Sequence, residues 1–360
     1  MSGAVFTKNA FKAAPVLVCQ DLLKKQQAQG IIINAGNANA VTGKQGMDDA
    51  IKMSSSLVKP VYVMSTGVIG KNLPINKVMN GIQVLNKQLE SDDTTVKQIA
   101  QAIMTTDTVP KFKTLNFTTS DGKECVLTGI AKGAGMVHPN MATMLGCILT
   151  DAKLPSQSYL QSLLQKAAKQ SFNAISVDGD TSTNDTVLAL SNNQVELSKS
   201  DLPQFEELFF EICDDLSTSI VKDGEGATKL IYLTVKGLES DDLAYNVARF
   251  VSRSPLVKTA IFGRDANWGR LFSSAGSSPE LMNKTFTNTE NMSCEFESEF
   301  GNVQVFKESP LAFDEDLAKK ILSSDIIKIK MTLGKGNGQA TVKTCDFTPE
   351  YVHVNASYRS

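Results

Sequence analysis

The sequence predicts an α/β (α+β) chain, arranged as two lobes or as one large domain. Two observations predict it. Short apolar runs bounded by polar residues, as strands require, alternate with stretches whose apolar residues recur at helical spacing. With 360 residues the chain can bury a sizeable core and exceeds what one small core organises. Hydrophobic residues at 42% and charged residues at 21% are the balance of an ordinary globular protein. A net charge of -2 gives neither nucleic acid nor an anionic membrane surface a reason to bind. No run approaches the roughly 20 apolar residues of a membrane helix. The apolar part of the N-terminus, Ala13-Ala14-Pro15-Val16-Leu17-Val18-Cys19, is short, contains proline and is not read as a signal peptide.

Taken in order, residues 16–19 and 30–34 are expected as strands, with a short helix over 21–29 between them. Residues 34–43 read as a loop of small and amide residues, and 48–57 as a helix. Residues 60–64 form a strand that runs into Ser65-Thr66-Gly67. Small residues there leave backbone N–H groups open to an incoming oxygen, although most such turns only turn. Ile75, Val78, Met79, Ile82, Leu85 and Leu89 mark one helix face. A helix over 94–104 closes at Thr105-Thr106-Asp107-Thr108. Three hydroxyls around one acid cap a helix by default, or line a pocket. Residues 112–117 and 124–131 make a hairpin around Ser120-Asp121-Gly122.

Beyond it, 155–171 and the stripe Phe205, Leu208, Phe209, Ile212, Leu216, Ile220 are helices. A strand near 175–177 leads into a polar loop through 186. That loop lacks the glutamate of a calcium-binding loop. A strand over 230–235, a helix around Leu243 to Val251 and a strand over 257–262 follow. Residues 263–270 read as a packed turn with an Arg-Asp pair. Residues 326–333 and 339–345 read as a hairpin across the glycines of 334–338.

The stretch with chemical content is Lys132-Gly133-Ala134-Gly135-Met136-Val137-His138-Pro139-Asn140-Met141-Ala142-Thr143-Met144-Leu145. It places a threonine behind a Pro-Asn turn and at the head of an apolar strand. Thr143 Oγ1 could attack the carbonyl of Ala142. An N-to-O shift and hydrolysis would then free an α-amine of pKa roughly 7.7, able to take the proton of its own hydroxyl. Such a nucleophile needs no histidine, and the chain has only two, His138 and His353. The same scarcity argues against a multi-histidine metal site. Six dispersed cysteines without a CxxC pair suit free thiols in a reducing compartment. From the residues alone, self-cleavage and an ordinary buried-strand threonine both remain open.

At this point the chain resembles the ornithine acetyltransferase family, the ArgJ-type bifunctional acetyltransferases of arginine biosynthesis. The likeness runs from Phe11-Lys12-Ala13-Ala14-Pro15-Val16 through Asn37-Ala38-Asn39-Ala40, Met64 to Gly70 and Lys132-Gly133-Ala134-Gly135-Met136. It continues through Pro139-Asn140-Met141-Ala142-Thr143, Asp178-Gly179-Asp180, Ser182-Thr183-Asn184-Asp185, Asp223-Gly224-Glu225-Gly226 and Asn267-Trp268-Gly269-Arg270. It ends at Asn355-Ala356-Ser357-Tyr358-Arg359-Ser360.

The resemblance implies a two-lobed ArgJ/DmpA-like fold and an N-terminal-threonine nucleophile. Cleavage between Ala142 and Thr143 would give an α chain, 1–142, and a β chain, 143–360, assembled as a heterotetramer of two of each. Thr143 would take acetyl from N2-acetylornithine, release ornithine and acetylate glutamate to N-acetylglutamate. Thr66 and Gly67 would form the oxyanion hole. Thr105, Lys132, Thr143, Glu225, Asn355 and Ser360 would bind substrate, Lys132 through the α-carboxylate that both substrates share and Glu225 through a positive group. No metal or bound cofactor is implied, and acetyl-CoA stays open as a second acetyl donor. His138 receives no role.

Family members begin some tens of residues earlier, so an opening strand and any targeting peptide are expected to be missing from this chain. The lysine- and asparagine-rich sequence resembles the fungal branch, which implies the mitochondrial matrix, with the cytoplasm as the alternative. Two other functions compete: a self-cleaving aminopeptidase or amidase of the same fold, and an uncleaved, inactive binding protein.

Overall fold

The computed structural model describes residues 1–25, 28–90, 92–138, 144–282, 284 and 288–357. Its contacts divide the described chain into two compact units, one holding residues 1–173 and 180–220 and the other 174–179 and 221–357. The α/β class expected from the sequence holds in both. The expected cut at 142/143 falls inside the first unit, so the two predicted chains and the two packing units are different divisions of the sequence.

In chain order the elements are β1 (Ser2–Phe6), α1 (Ala14–Lys25), β2 (Ile31–Asn37), α2 (Gly43–Ser54), β3 (Tyr62–Val68), α3 (Ile75–Leu85) and α4 (Asp93–Ala102). Next come β4 (Lys111–Thr118), β5 (Glu124–Lys132), β6 (Leu145–Lys153), α5 (Gln157–Gln170), β7 (Ile175–Ser176), β8 (Thr186–Glu196) and α6 (Leu202–Lys222). The rest are β9 (Leu230–Leu238), α7 (Asp241–Ser252), α8 (Pro255–Phe262), α9 (Trp268–Gly276), β10 (Met292–Ser298) and β11 (Gly301–Lys307). β12 (Ser309–Pro310), α10 (Glu315–Ile321), β13 (Ile326–Leu333), β14 (Gly338–Cys345) and α11 (Pro349–Ser357) complete the series.

The first unit is built on a five-stranded mixed sheet in the order β1-β8-β6-β5-β4. Antiparallel β5 and β6 bring Lys132 opposite Leu145, and parallel β6 and β8 bring Leu145 opposite Thr186. One row at one end of the sheet therefore reads Lys132, Leu145, Thr186, with Phe6 of β1 beyond. That row is where the site forms. Helix α6 lies against β5 at Gly129, where a Cβ would come within 2.5 Å of Ile212 Cγ2. Of the expected stripe, Phe205, Phe209, Ile212, Leu216 and Ile220 are fully buried and Leu208 is half-buried, as helical spacing predicts. A separate parallel pair, β2 and β3, joins the core cluster through Tyr62, Val63 and Met64, which is shared with Ile130, Leu145, Cys147 and Leu188 of the large sheet.

The second unit is a seven-stranded sheet in the order β12-β11-β10-β13-β9-β14-β7. Val247, Ala248 and Val251 of α7, with Val257 and Ile261 of α8, pack in one cluster with Leu233, Val235, Phe296 and Ile329 of its strands.

Four expectations are corrected. Residues 16–19 lie in α1, whose buried Ala14, Pro15, Val16, Cys19 and Leu22 follow helical spacing. A short apolar run does not separate helix from strand, and the proline near its start is where helices accept one. Residues 257–262 are helix α8, started by Ser254, whose side chain accepts from Val257 N, and by Pro255 in its first turn. The turn expected at 263–270 ends in a helix instead, with Asn267 capping α9, and Arg270 donates to the Leu256 carbonyl rather than to an aspartate. Residues 326–333 and 339–345 do not form a hairpin. β9 lies between them, parallel to β13 and antiparallel to β14. The hairpin β4–β5 and helix α5 fall where expected.

Candidate active site

The site grows from the last residue of β5. Lys132 is 4% exposed, and its Nζ donates to Thr105 Oγ1 at 2.7 Å and to Thr66 Oγ1 at 3.2 Å. An ammonium only donates, so both hydroxyls act as acceptors here. Three residues from three separate segments thus meet on one buried cation: the end of β5, the strand β3 and the loop after α4.

Asp107 holds that cation. Its side chain is fully buried, 3.6 Å from Lys132 Nζ and 2.7 Å from Lys111 Nζ. It also accepts from Gly133 N at 2.7 Å and Thr105 N at 3.1 Å. Burial alone would raise this carboxyl, but Lys132 and Lys111 outweigh it and hold Asp107 below the usual carboxylate range. The cap role expected for the Thr105–Thr108 stretch is therefore not what Asp107 does. It is the counter-ion of two buried lysines.

Thr66 and Gly67 sit near the end of β3. Gly67 has φ +125°, and a Cβ there would lie 2.3 Å from the Gly36 carbonyl carbon of β2, so the close pass of β2 and β3 requires glycine. Ser65 donates to Asn34 Oδ1 at 2.5 Å, and Asn184 Nδ2 donates to the carbonyls of Ser65 and Ala38 at 2.9 and 2.6 Å. The Thr66 hydroxyl proton has no acceptor among the described residues.

Of the other expected site residues, Ala142, Thr143 and Ser360 lie outside the described residues. The described chain resumes at Met144, whose N–H donates to Asp185 Oδ1 at 3.0 Å and whose carbonyl accepts from Thr186 N at 3.2 Å. Asp185 is 1% exposed, and burial pushes its carboxyl well above the usual range.

Glu225 and Asn355 belong to the second unit. Asn355 Nδ2, on α11, donates to Glu225 Oε2 at 2.7 Å and to the Tyr351 carbonyl at 3.0 Å. Gly226 takes φ +67° against Tyr351 N, and Thr348 Oγ1 donates to the Gly226 carbonyl at 2.7 Å. These contacts seat α11 on the Glu225-Gly226 turn.

Sequence reasoning assigned no role to Lys111, Asn184 or Asp185, and gave Asp107 only a helix cap or a place in a pocket lining. The available signal was the chemistry of the motifs: acids and an amide among hydroxyls beside apolar strands are seldom buried without partners. Among the described residues no three His, Cys, Asp or Glu side chains stand close enough together to hold a metal ion, and all six cysteines are unpaired and buried.

The ArgJ family model matches residues 1–360. The chain belongs to the ArgJ family. Among ArgJ relatives, the mitochondrial arginine biosynthesis bifunctional protein ArgJ of Laccaria bicolor is 43% identical, over all of this chain and 86% of its own length. That of Podospora anserina is 42% identical, over all of this chain and 82% of its own length. The crystal structure of the bifunctional ArgJ protein of Bacillus halodurans is 37% identical. It covers 60% of this chain and all of its own, with a TM-score of 0.54. The ArgJ fold is therefore the fold of this chain.

Proposed function

We propose that the chain moves acetyl from N2-acetylornithine to L-glutamate through an acetyl ester on Thr143. The class of activity follows from membership in the family: the chain is an acetyltransferase of arginine biosynthesis. The donor, the acceptor and the residue roles are the proposal.

In this reading Thr143 Oγ1 first attacks the Ala142 carbonyl, the C–N bond breaks to free the Thr143 amine and leave an ester, and water hydrolyses that ester to release the Ala142 carboxylate and the Thr143 hydroxyl. That amine, with a pKa of roughly 7.7, then takes the hydroxyl proton as Oγ1 attacks the acetyl carbonyl of the donor. The carbonyl π electrons move onto oxygen, where the Thr66 hydroxyl and the Gly67 N–H stabilise the charge. The C–N bond breaks, the proton passes to the leaving amine, and ornithine departs. Glutamate's amine attacks the ester by the same path in reverse, releasing N-acetylglutamate and restoring Thr143.

The observation that carries the proposal is the bridge from Lys132 to both Thr66 and Thr105. Three residues assigned from the family resemblance meet at one buried cation, beside the strand that Thr143 precedes. The buried Lys132 ammonium suits a carboxylate, the group that donor and acceptor share. Glu225, anchored by Asn355, supplies a negative charge for the cationic end of ornithine. Ser360 is kept as a further contact to substrate. The reaction as written needs no metal or bound cofactor, and acetyl-CoA is a second donor to be tried. The compartment proposed is the mitochondrial matrix, a reading supported by relatives whose names say mitochondrial, and the assembly proposed is a heterotetramer of two α and two β chains.

The test is to mix purified protein with N2-acetylornithine and glutamate. Ornithine and N-acetylglutamate should form together and stop forming in Thr143→Ala. Ornithine and free acetate formed without glutamate, at the same rate, would favour the hydrolase reading.

A further inference from the structure

Within the Ser182-Thr183-Asn184-Asp185 motif, two adjacent buried side chains reach in different directions. Asn184 is 6% exposed and Asp185 is 1% exposed. Asn184 Nδ2 donates to the Ser65 carbonyl at 2.9 Å, the peptide directly before Thr66. Asp185 Oδ1 accepts from Met144 N at 3.0 Å, the peptide directly after Thr143. The dipeptide is itself fixed: Thr183 Oγ1 donates to Asn184 Oδ1 at 2.5 Å, Ser182 Oγ accepts from Asn184 N at 3.1 Å, and the Asp185 carbonyl accepts from Thr7 N at 2.9 Å.

We propose that Asn184 and Asp185 act together as one positioning element, Asn184 holding the oxyanion strand by the Ser65 carbonyl and Asp185 holding the nucleophile strand by the Met144 amide. Neither group touches the reacting atoms. Their work is to set the separation between the residue that attacks and the donors that receive the oxyanion, at the head of β8, where the rigid sheet supports both. An error of about 1 Å in such a separation costs on the order of 100-fold in rate. The Asp185 bond to Met144 asks only for a carbonyl-type acceptor of the right size. Burial disfavours the charged form of the carboxyl, and an amide offers the same acceptor without a charge. Its Oδ2 has no hydrogen-bond partner among the described residues, and the neighbouring Thr7 hydroxyl is committed to the Ser182 carbonyl at 2.7 Å. The proposal rests on Thr143 being the nucleophile.

The experiment uses the full chain as wild type, Asp185→Ala, Asp185→Asn, Asn184→Ala and the Asp185→Ala, Asn184→Ala double variant. The rate of self-cleavage is followed by denaturing electrophoresis, and kcat and KM are measured on the cleaved protein. Asp185→Ala and Asn184→Ala should each lower the cleavage rate and kcat by about 10- to 100-fold with KM little changed. Asp185→Asn should recover most of the loss. The double variant should lose little more than the worse single variant, because both residues act on one separation. Wild-type cleavage and kcat in a folded Asp185→Ala or Asn184→Ala would overturn the proposal. So would a loss in Asp185→Asn as deep as in Asp185→Ala, or fully additive losses in the double variant. If Asp185→Ala does not fold, Asn184→Ala and Asp185→Asn decide the matter alone. Failure of the underlying function looks different: the wild type itself would stay one chain or form no acetyl ester.

Discussion

Lys132 Nζ lies 3.2 Å from Thr66 Oγ1 and uses that hydroxyl as an acceptor. The Thr66 proton is thereby turned away from the lysine and left to donate elsewhere. A cation near neutral pH cannot return the bond. If the proton serves a developing oxyanion, Thr66→Val removes one of its two donors while keeping the shape. The loss of one such donor costs roughly 2.7–4 kcal/mol. Steady-state kinetics of Thr66→Val should therefore show kcat lower by about 100- to 1,000-fold with KM little changed. Thr66→Ser should restore most of it.

Asp107 pairs with both Lys111 and Lys132 in a place closed to solvent. Removing it takes this carboxylate from both buried ammonium groups, a defect that costs about 3–5 kcal/mol. Asp107→Ala should lower the denaturant midpoint by the equivalent of that amount, as urea unfolding followed by circular dichroism would show. An unchanged midpoint would mean that the two lysines find other charge partners.

The two buried aspartates respond to pH with opposite signs. Asp107 is held below its ordinary value, so its contribution to stability is complete above about pH 3.9 and is lost as pH falls through its lowered folded value. Asp185 is held above its ordinary value, so its contribution is complete below about pH 3.9 and is lost as pH rises toward its folded value. Asp185→Asn cannot ionise and keeps the acceptor for Met144 N. On going from about pH 5 to about pH 8 its melting temperature should fall less than that of the wild type.

Glu225 offers the negative charge of the second unit and is fixed by Asn355 at 2.7 Å. Glu225→Lys should raise KM for N2-acetylornithine strongly while melting stays within a few degrees. Unchanged ornithine release would remove Glu225 from substrate recognition.

Much of this fold was legible from spacing alone. The β4–β5 hairpin and the α6 stripe follow simple periods of two and of three to four residues. Residues 16–19 and 257–262 were misread because short stretches with four apolar residues satisfy helix and strand alike, and only the prolines and the Ser254 cap separate them. β13 and β14 looked like a hairpin because they are neighbours in sequence. β9, which lies almost 90 residues earlier, takes the place between them, and no local signal announces it. Lys132, Thr66 and Thr105 were named through resemblance, since nothing in their spacing says that they meet. Asp185 was missed, and Asp107 was read by default as a cap, for a related reason. A buried acid is justified only by partners from distant strands, and those partners are known only once the strands are in place.

The most direct test of the account is the intact mass of the purified protein, before and after N2-acetylornithine is added. The account predicts two chains, 1–142 and 143–360 of the sequence. The second should gain the mass of one acetyl group at Thr143 and lose it when glutamate is supplied. A single chain of 360 residues, or an acetyl group on any residue other than Thr143, would contradict it.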